Sequence, residues 1–204
     1  MSSISAKTGT QFWSKRPIML PPDVQAVVII SSPGSGFNAA THVCIAEVPE
    51  LTAIPYLTNN NLPLDTIEAL AWGSNLDWGF NKHPPMSAFL VEIFYQIFGA
   101  QDWAYYLLSQ ICVIISFFVV FKLAEEFFEN KVFCLLSVLL LEGIYFYNFT
   151  TPEFNVNVCQ IPFWTLTVYF SWKIYSSKEI KLSDCFFIGL FGAIGFLSKY
   201  ENEI

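Results

Sequence analysis

The chain has 204 residues, of which 54% are apolar, 18% aromatic and only 13% charged. A soluble domain needs charged residues at about a quarter of its positions to cover its surface, so we expect this chain to be covered by lipid. Its formal net charge of −7 argues against nucleic acid as a partner, because no basic stripe is present to neutralise phosphates.

Residues 1–60 form the first predicted region, an irregular segment rich in Ser, Thr, Pro and Gly. Its one apolar run, Val24–Ile30, is too short for a transmembrane helix. The basic residues near the N-terminus precede no apolar run of the length found in signal peptides, so we predict no cleavable signal.

Residues 61–100 are predicted to be an external loop that begins with an acidic motif. Asp65 and Glu68 are three residues apart and would share one face of a helix. Carboxylates beside a membrane are costly to desolvate, which favours a functional site. The same spacing also fits a capping box with Asp65 as the N-cap, and the two interpretations are compatible.

The loop continues to the segment Lys82-His83-Pro84-Pro85. The two basic residues are suited to hold a phosphate, and the alternative is that they bind lipid headgroups. The diproline favours a helix start, and Met86–Phe98 has apolar residues at helical spacing. This helix is too short to span and is predicted to be amphipathic and interfacial.

Residues 101–200 contain four apolar segments, each close to the ~17–25 residues that cross a hydrocarbon core of ~30 Å, although the last is marginal. Short polar links join them, and residues 201–204 form a tail. Helices satisfy their own backbone hydrogen bonds in lipid, so the predicted fold class is all-α, a polytopic transmembrane helical bundle. The segments are Trp103–Leu123, Val132–Phe149, Val156–Tyr175 and Cys185–Ser198.

Lysines predict the orientation of this bundle. The links around Glu125 and before Asp184 carry five lysines, so the positive-inside rule makes both links cytoplasmic. Everything before Trp103, the loop with Glu153 and the residues after Ser198 then face the opposite side. Glu153 has a simpler interpretation as well, as the cap of a helix that begins near Phe154. The lysines of the links are Lys122, Lys131, Lys173, Lys178 and Lys181.

Four motifs follow one another along the predicted external face: the run Asp65–Trp72, the segment Leu76–Met86, the loop Thr151-Pro152-Glu153 and the closing Leu197-Ser198-Lys199-Tyr200. In order and spacing they resemble the membrane glycosyltransferases related to aminoarabinose transferase and protein O-mannosyltransferase. The resemblance covers about residues 62–200 and implies a helical bundle with its active site at the non-cytoplasmic surface.

The resemblance also implies an activity, the transfer of a sugar from a polyprenyl-phosphate donor to a lipid, glycan or protein acceptor. Asp65 occupies the position of the catalytic base, and Glu68 is the second acidic residue assigned to catalysis. A carboxylate can accept the proton of the acceptor hydroxyl while cations stabilise the departing phosphate. The residues assigned to substrate binding are Lys82, His83, Glu153, Lys199 and Tyr200.

The chain departs from the family pattern in two respects. Some relatives carry an acidic residue in place of Lys82 that helps to bind a divalent metal, and a lysine cannot do so. We therefore predict no cofactor, and a divalent metal stays an open alternative. Relatives also have further transmembrane helices before Asp65 and after Tyr200, so we expect this chain to be a truncated or fragmentary member.

The expected location is a multi-pass position in a bacterial inner membrane, with the active face toward the periplasm. The main alternative function is a catalytically inactive membrane remnant or scaffold, whose carboxylates are caps and whose cations bind lipid. A transporter is disfavoured, because most charges lie at the ends of the apolar segments and not at their midpoints.

Overall fold

The structure, a computed structural model, describes residues 48–199. Most of the predicted irregular segment 1–60, the residue Tyr200 and the tail 201–204 therefore lie outside the described residues. Between residues 48 and 199 every regular element is a helix, which confirms the all-α class for this part of the chain. The helices are α1 (48–58), α2 (Leu64–Gly73), α3 (Met86–Phe98), α4 (Asp102–Ala124), α5 (Lys131–Glu142), α6 (Tyr145–Asn148), α7 (Val156–Ser176) and α8 (Leu182–Phe196).

Helix α4 corresponds to the first predicted crossing. Its 23 residues rise about 34 Å, which exceeds the ~30 Å of a hydrocarbon core. Among the residues that the structure describes, it is the one helix that is both long enough and apolar enough to cross a membrane. The prediction of a transmembrane segment at Trp103–Leu123 is thus supported by length and composition.

Each of the other three predicted crossings lacks a property that a membrane-spanning helix needs. The segment Val132–Phe149 is not one helix, because the chain is extended at Ile144 and separates α5 from α6. Gly143, a poor helix former, directly precedes the break. Helix α7 is long enough but contains Pro162 and several polar residues, and α8 is apolar but has 15 residues, about 22 Å. The polytopic bundle therefore remains a proposal.

Helix α3 has the predicted bounds and packs against α2 and α4. Its protein-facing side consists of small residues, and Ser87 is buried there although the amphipathic pattern places it away from the apolar face. Ile93 and Ile97 are exposed on the outer side, as expected for contact with lipid. At Gly73 a side chain would lie 3.1 Å from the Ala88 carbonyl oxygen, so α2 and α3 approach closely.

The two lysine-bearing links lie together at one end of the bundle. In the first link, Lys122 contacts Glu125 at 2.8 Å. In the second, Lys173 of α7 lies 3.3 Å from Asp184 of α8. The ring of Phe127 packs on that of Trp172 of α7 with centroids 4.5 Å apart, which connects the first link to the end of α7. The shared side that the lysines predict for these links agrees with this packing.

Candidate active site

Helix α2 begins without a cap of its own. Its N-cap position is Pro63, which makes no side-chain hydrogen bond, and Asp65 lies inside the first turn. The predicted capping box with Asp65 as N-cap is therefore wrong. The Glu153 side chain lies near this turn, close enough to Asp65 for the charge of one residue to act on the other. A negative charge is favourable there, because the first N–H groups of a helix have no partners within it.

A buried hydrogen bond fixes the Glu153 loop against α2. The Thr66 hydroxyl donates to the carbonyl of Phe154 at 2.9 Å, and both residues are only 1% exposed. On the other side of Glu153, the Thr151 carbonyl accepts hydrogen bonds from the Ser109 hydroxyl and from the Gln110 amide. The loop is thus attached to α2 and to the membrane-length helix α4.

Glu153 does not cap the helix that follows it. Helix α7 is capped by Asn155, whose side-chain oxygen accepts hydrogen bonds from the backbone N–H groups of Asn157 and Val158 at 2.9 and 3.1 Å. The alternative that Glu153 is merely the cap of this helix is therefore wrong. The cap position is occupied by an asparagine, and Glu153 lies near Asp65 of α2.

The Glu153 carboxyl has an electrostatic environment that opposes its ionisation. Burial raises its pKa, and the negative charge of Asp65 raises it further, while the hydrogen bond from the Asp65 backbone partly offsets both effects. The structure thus brings together Asp65 and Glu153, two of the predicted site residues. A carboxyl group beside a negative charge releases its proton less readily than an isolated one does.

Glu68 has a different partner from Asp65. Its carboxylate forms an ion pair with Lys82, with an N–O distance of 2.8 Å, and both side chains are partly exposed. The predicted phosphate contact Lys82 is thus held by the second acidic residue of the motif. This pair attaches the loop before the diproline to the middle of α2.

His83 and the diproline complete the turn into α3. The His83 ring lies edge-on to Trp72 of α2 with centroids 5.8 Å apart, and Trp72 stacks on Phe80. Pro84 and Pro85 are buried, and Pro85 is the residue before the first turn of α3. This packing holds the two basic residues beside α2.

The closing motif, at the C-terminal end of the described residues, contacts the same end of the bundle. The Leu197 carbonyl accepts a hydrogen bond from the backbone N–H of Met86 at 3.1 Å. Lys199 donates to the side-chain oxygen of Asn157, in the first turn of α7, at 3.0 Å. Ser198 between them is fully buried. Tyr200, the last predicted substrate contact, lies outside the described residues.

These interactions form a closed path, which we call the contact circuit. It runs from α2 to the loop before α7, from α7 to the residues after α8, from there to the start of α3, and back to α2. Each step joins residues far apart in the sequence, so four separate motifs meet at one end of the bundle. The contacts are Thr66–Phe154, Asn157–Lys199, Leu197–Met86 and Lys82–Glu68.

Three polar residues of this site carried no sequence assignment, namely Thr66, Asn157 and Ser109. Each donates or accepts a hydrogen bond that crosses between elements. A single Thr, Ser or Asn has no local pattern that distinguishes such a contact from an exposed polar position. In the part of the chain that the structure describes, no group of three or more His, Cys, Asp or Glu side chains is arranged to hold a metal ion.

The described residues define an all-helical protein with one membrane-length helix and a site of carboxylates and cations at one end. Residues 82–203 match the family of dolichyl-phosphate-mannose-protein mannosyltransferases. This match covers more than half of the chain, so the protein belongs to this family of membrane glycosyltransferases. The comparisons with curated proteins and with solved structures found no match.

The family match covers part of the candidate site. It includes Lys82, His83, Glu153 and Lys199, whereas the acidic motif on α2 precedes the matched residues. The contact between Thr66 and Phe154 joins that motif to the matched part. The resemblance is thus confirmed at the level of the family.

Proposed function

We propose that this protein transfers a sugar from a polyprenyl-phosphate donor to a lipid, glycan or protein acceptor. The observation that carries the proposal is the contact circuit, which holds the acid Asp65 and the cations of the family-matched segment at one end of the bundle. Glycosyl transfer from a lipid phosphate needs a base for the acceptor and positive charge for the leaving group.

In the proposed reaction the acceptor hydroxyl oxygen attacks the anomeric carbon of the sugar. Its proton passes to the carboxylate of Asp65, and the bond between the anomeric carbon and the phosphate oxygen breaks. The electron pair of that bond stays on the phosphate, which gains negative charge. Lys82, His83, Lys199 and Tyr200 are proposed to contact this phosphate or the sugar, and Glu68 to act by holding Lys82 in place.

We further propose that the bundle is multi-pass, with the lysine-bearing links in the cytoplasm and the contact circuit on the opposite, periplasmic side of a bacterial inner membrane. The packing of Phe127 in the first link on Trp172 of α7, beside the second link, supports a common side for the two links. Cytoplasmic loops are the ones enriched in lysine.

One observation favours a second function, that of a membrane scaffold without catalysis. Lys82 is paired with Glu68, and Lys199 is bonded to Asn157, so both cations also hold parts of the fold together. In a scaffold this would be their whole role, and the carboxylates near α2 would serve only to cap it.

A transfer assay distinguishes the two functions. The full chain in proteoliposomes is supplied with radiolabelled dolichyl-phosphate-mannose, or with its undecaprenyl counterpart, and with membranes of the native host as the source of acceptor. We expect transfer of label, and a loss of about 10²–10⁴-fold in Asp65→Asn, since this is the usual contribution of a general base. Glu129→Gln, in the exposed first link, is the matched control.

Two results would contradict the proposal. Full transfer by Asp65→Asn would remove the proposed base. Absence of transfer by the parent chain with either donor would favour the scaffold.

A further inference from the structure

Two lysines of the candidate site are held in different ways. Lys82 forms an ion pair with the carboxylate of Glu68, with an N–O distance of 2.8 Å. Lys199 donates a hydrogen bond to the side-chain oxygen of Asn157 at 3.0 Å, and in residues 48–199 it forms no ion pair with a carboxylate. The amide of Asn157 is neutral, so it holds the ammonium group in place without cancelling its charge.

The backbone before Lys199 is fixed by the fully buried Ser198. The Ser198 hydroxyl donates to the carbonyl of Ile194 at 2.8 Å and accepts from the thiol of Cys159 on α7 at 3.7 Å. The side chain of Lys199 is longer and only partly buried, and a lysine has many rotamers to lose when it is held in one direction. Among the described residues, the hydrogen bond to Asn157 is the contact that gives this side chain its direction.

Asn157 is itself fixed in the first turn of α7. The side-chain oxygen of the N-cap residue Asn155 accepts a hydrogen bond from the backbone N–H of Asn157 at 2.9 Å. The cap is thus supplied by Asn155, and the side chain of Asn157 bonds to Lys199 instead. Both asparagines are neutral, so neither compensates the ammonium group or the partial positive charge at the start of the helix.

We propose that Asn157 is a positioning residue for Lys199. Its neutral side chain directs the ammonium group and leaves the full positive charge available to a lipid phosphate. This inference rests on the proposed function, because the phosphate contact of Lys199 is itself part of that proposal. The role differs from that of Glu68, whose carboxylate partly neutralises Lys82.

Binding of a lipid phosphate tests this role without any need for sugar transfer. The full chain in nanodiscs of neutral lipid is titrated with a short-chain polyprenyl phosphate, and with the uncharged polyprenol as the reference ligand. We expect the parent to prefer the phosphate, and Lys199→Met to weaken its binding by about 10-fold to 100-fold, the contribution of one hydrogen bond between charged groups. Asn157→Ala should weaken binding by about 3-fold or more and should have no further effect in a Lys199→Met background.

Asn157→Asp separates positioning from a merely structural contact. Aspartate has nearly the same size, its charge is favourable in the first turn of a helix, and it can pair with Lys199, so the variant should unfold at no lower temperature than the parent. It should nevertheless bind the polyprenyl phosphate about 10-fold more weakly, because its carboxylate competes with the phosphate for the ammonium group. The matched control is Asn130→Asp, which places the same charge at the start of α5, beside the lysine-bearing links, and should bind as the parent does.

Three results would overturn the inference. Parent-like binding by Asn157→Asp would make the contact structural only. Additive losses in the double variant would show that Asn157 does not act through Lys199. A parent that does not prefer the phosphate over the polyprenol would remove the ligand. A parent that binds the phosphate but transfers no sugar would instead refute the proposed function, and the binding measurements would still decide the role of Asn157.

Discussion

Glu125 and Glu153 lie at opposite ends of the bundle and have opposite surroundings. Glu125 accepts a hydrogen bond from Lys122 at 2.8 Å and lies 3.5 Å from Lys131. The hydrogen bond from Lys122 lowers the pKa of Glu125, although its partial burial acts in the other direction. At the other end, burial and the charge of Asp65 raise the pKa of Glu153.

The contrast separates a structural ion pair from the acidic residues of the candidate site. A partly buried acid beside two lysines near the surface is an ordinary ion pair, and such pairs contribute about 0–1 kcal/mol. An acid held beside a second acid persists only because the surrounding contacts fix it, and such arrangements are concentrated at functional sites. The charges around an acidic residue thus distinguish the end of the bundle with the candidate site better than the residue composition of that end does.

The largest expected effect concerns the sides of the membrane on which the two ends lie. Single cysteines replace Asn81 near the contact circuit and Lys178 in the second link, both exposed, in a background without Cys44 and Cys185. A membrane-impermeant maleimide should label position 81 only from outside and position 178 only from inside. Labelling of both positions from one side would mean that the two ends lie on the same side of the membrane, which would contradict the prediction.

A smaller effect is expected from the buried hydrogen bond of Thr66. Thr66→Val leaves the Phe154 carbonyl without its donor, which should lower the free energy of unfolding by about 1–3 kcal/mol. Thr66→Ser keeps the hydroxyl and should retain more of the stability. The control at the other end is Ser177→Ala, whose hydroxyl bonds to Ile174 in an exposed position and should change stability by less than about 0.5 kcal/mol. Thermal unfolding in detergent measures all three, and equal losses at both ends would contradict the expectation.

The smallest effect is the pH dependence of stability at the two glutamates. The lowered pKa of Glu125 stabilises the fold above the unfolded value, and this contribution is lost as pH falls through the folded value. The raised pKa of Glu153 has the opposite sign, so its unfavourable contribution grows as pH rises from the unfolded value through the folded one.

Near neutral pH, Glu125→Gln should therefore be slightly less stable than the parent, by less than about 1 kcal/mol, and the difference should shrink in high salt. Glu153→Gln should gain stability relative to the parent as pH rises. Melting temperatures across acid and neutral pH measure both slopes, and slopes of the same sign would refute the contrast.

The sequence predicted those elements that depend on local pattern. The long apolar run of α4 and the diproline before α3 gave the position of both helices. The predicted helix Val132–Phe149 failed because hydropathy averages over a break such as the one at Ile144. The alternative interpretation of Asp65 as an N-cap was wrong because a capping-box spacing does not distinguish the N-cap from the first turn.

The site was predicted as a set of residues but not as a set of contacts. The motifs predicted that Glu153 and the α2 acids share an external face, and the structure brings Glu153 near Asp65. Nothing local predicts that Glu153 lies near Asp65, or that Glu68 takes Lys82 as its partner. Such pairings depend on the packing of helices far apart in the sequence, as the bond between Thr66 and Phe154 illustrates.

The hydrogen bond between Met86 and Leu197 has a consequence for biosynthesis. Its donor leaves the ribosome early, and its acceptor follows only after α8 has been made. Lys199, which bonds to Asn157, is translated later still. An unfinished polypeptide accordingly lacks the complete contact circuit, which closes only when the last described helix has docked.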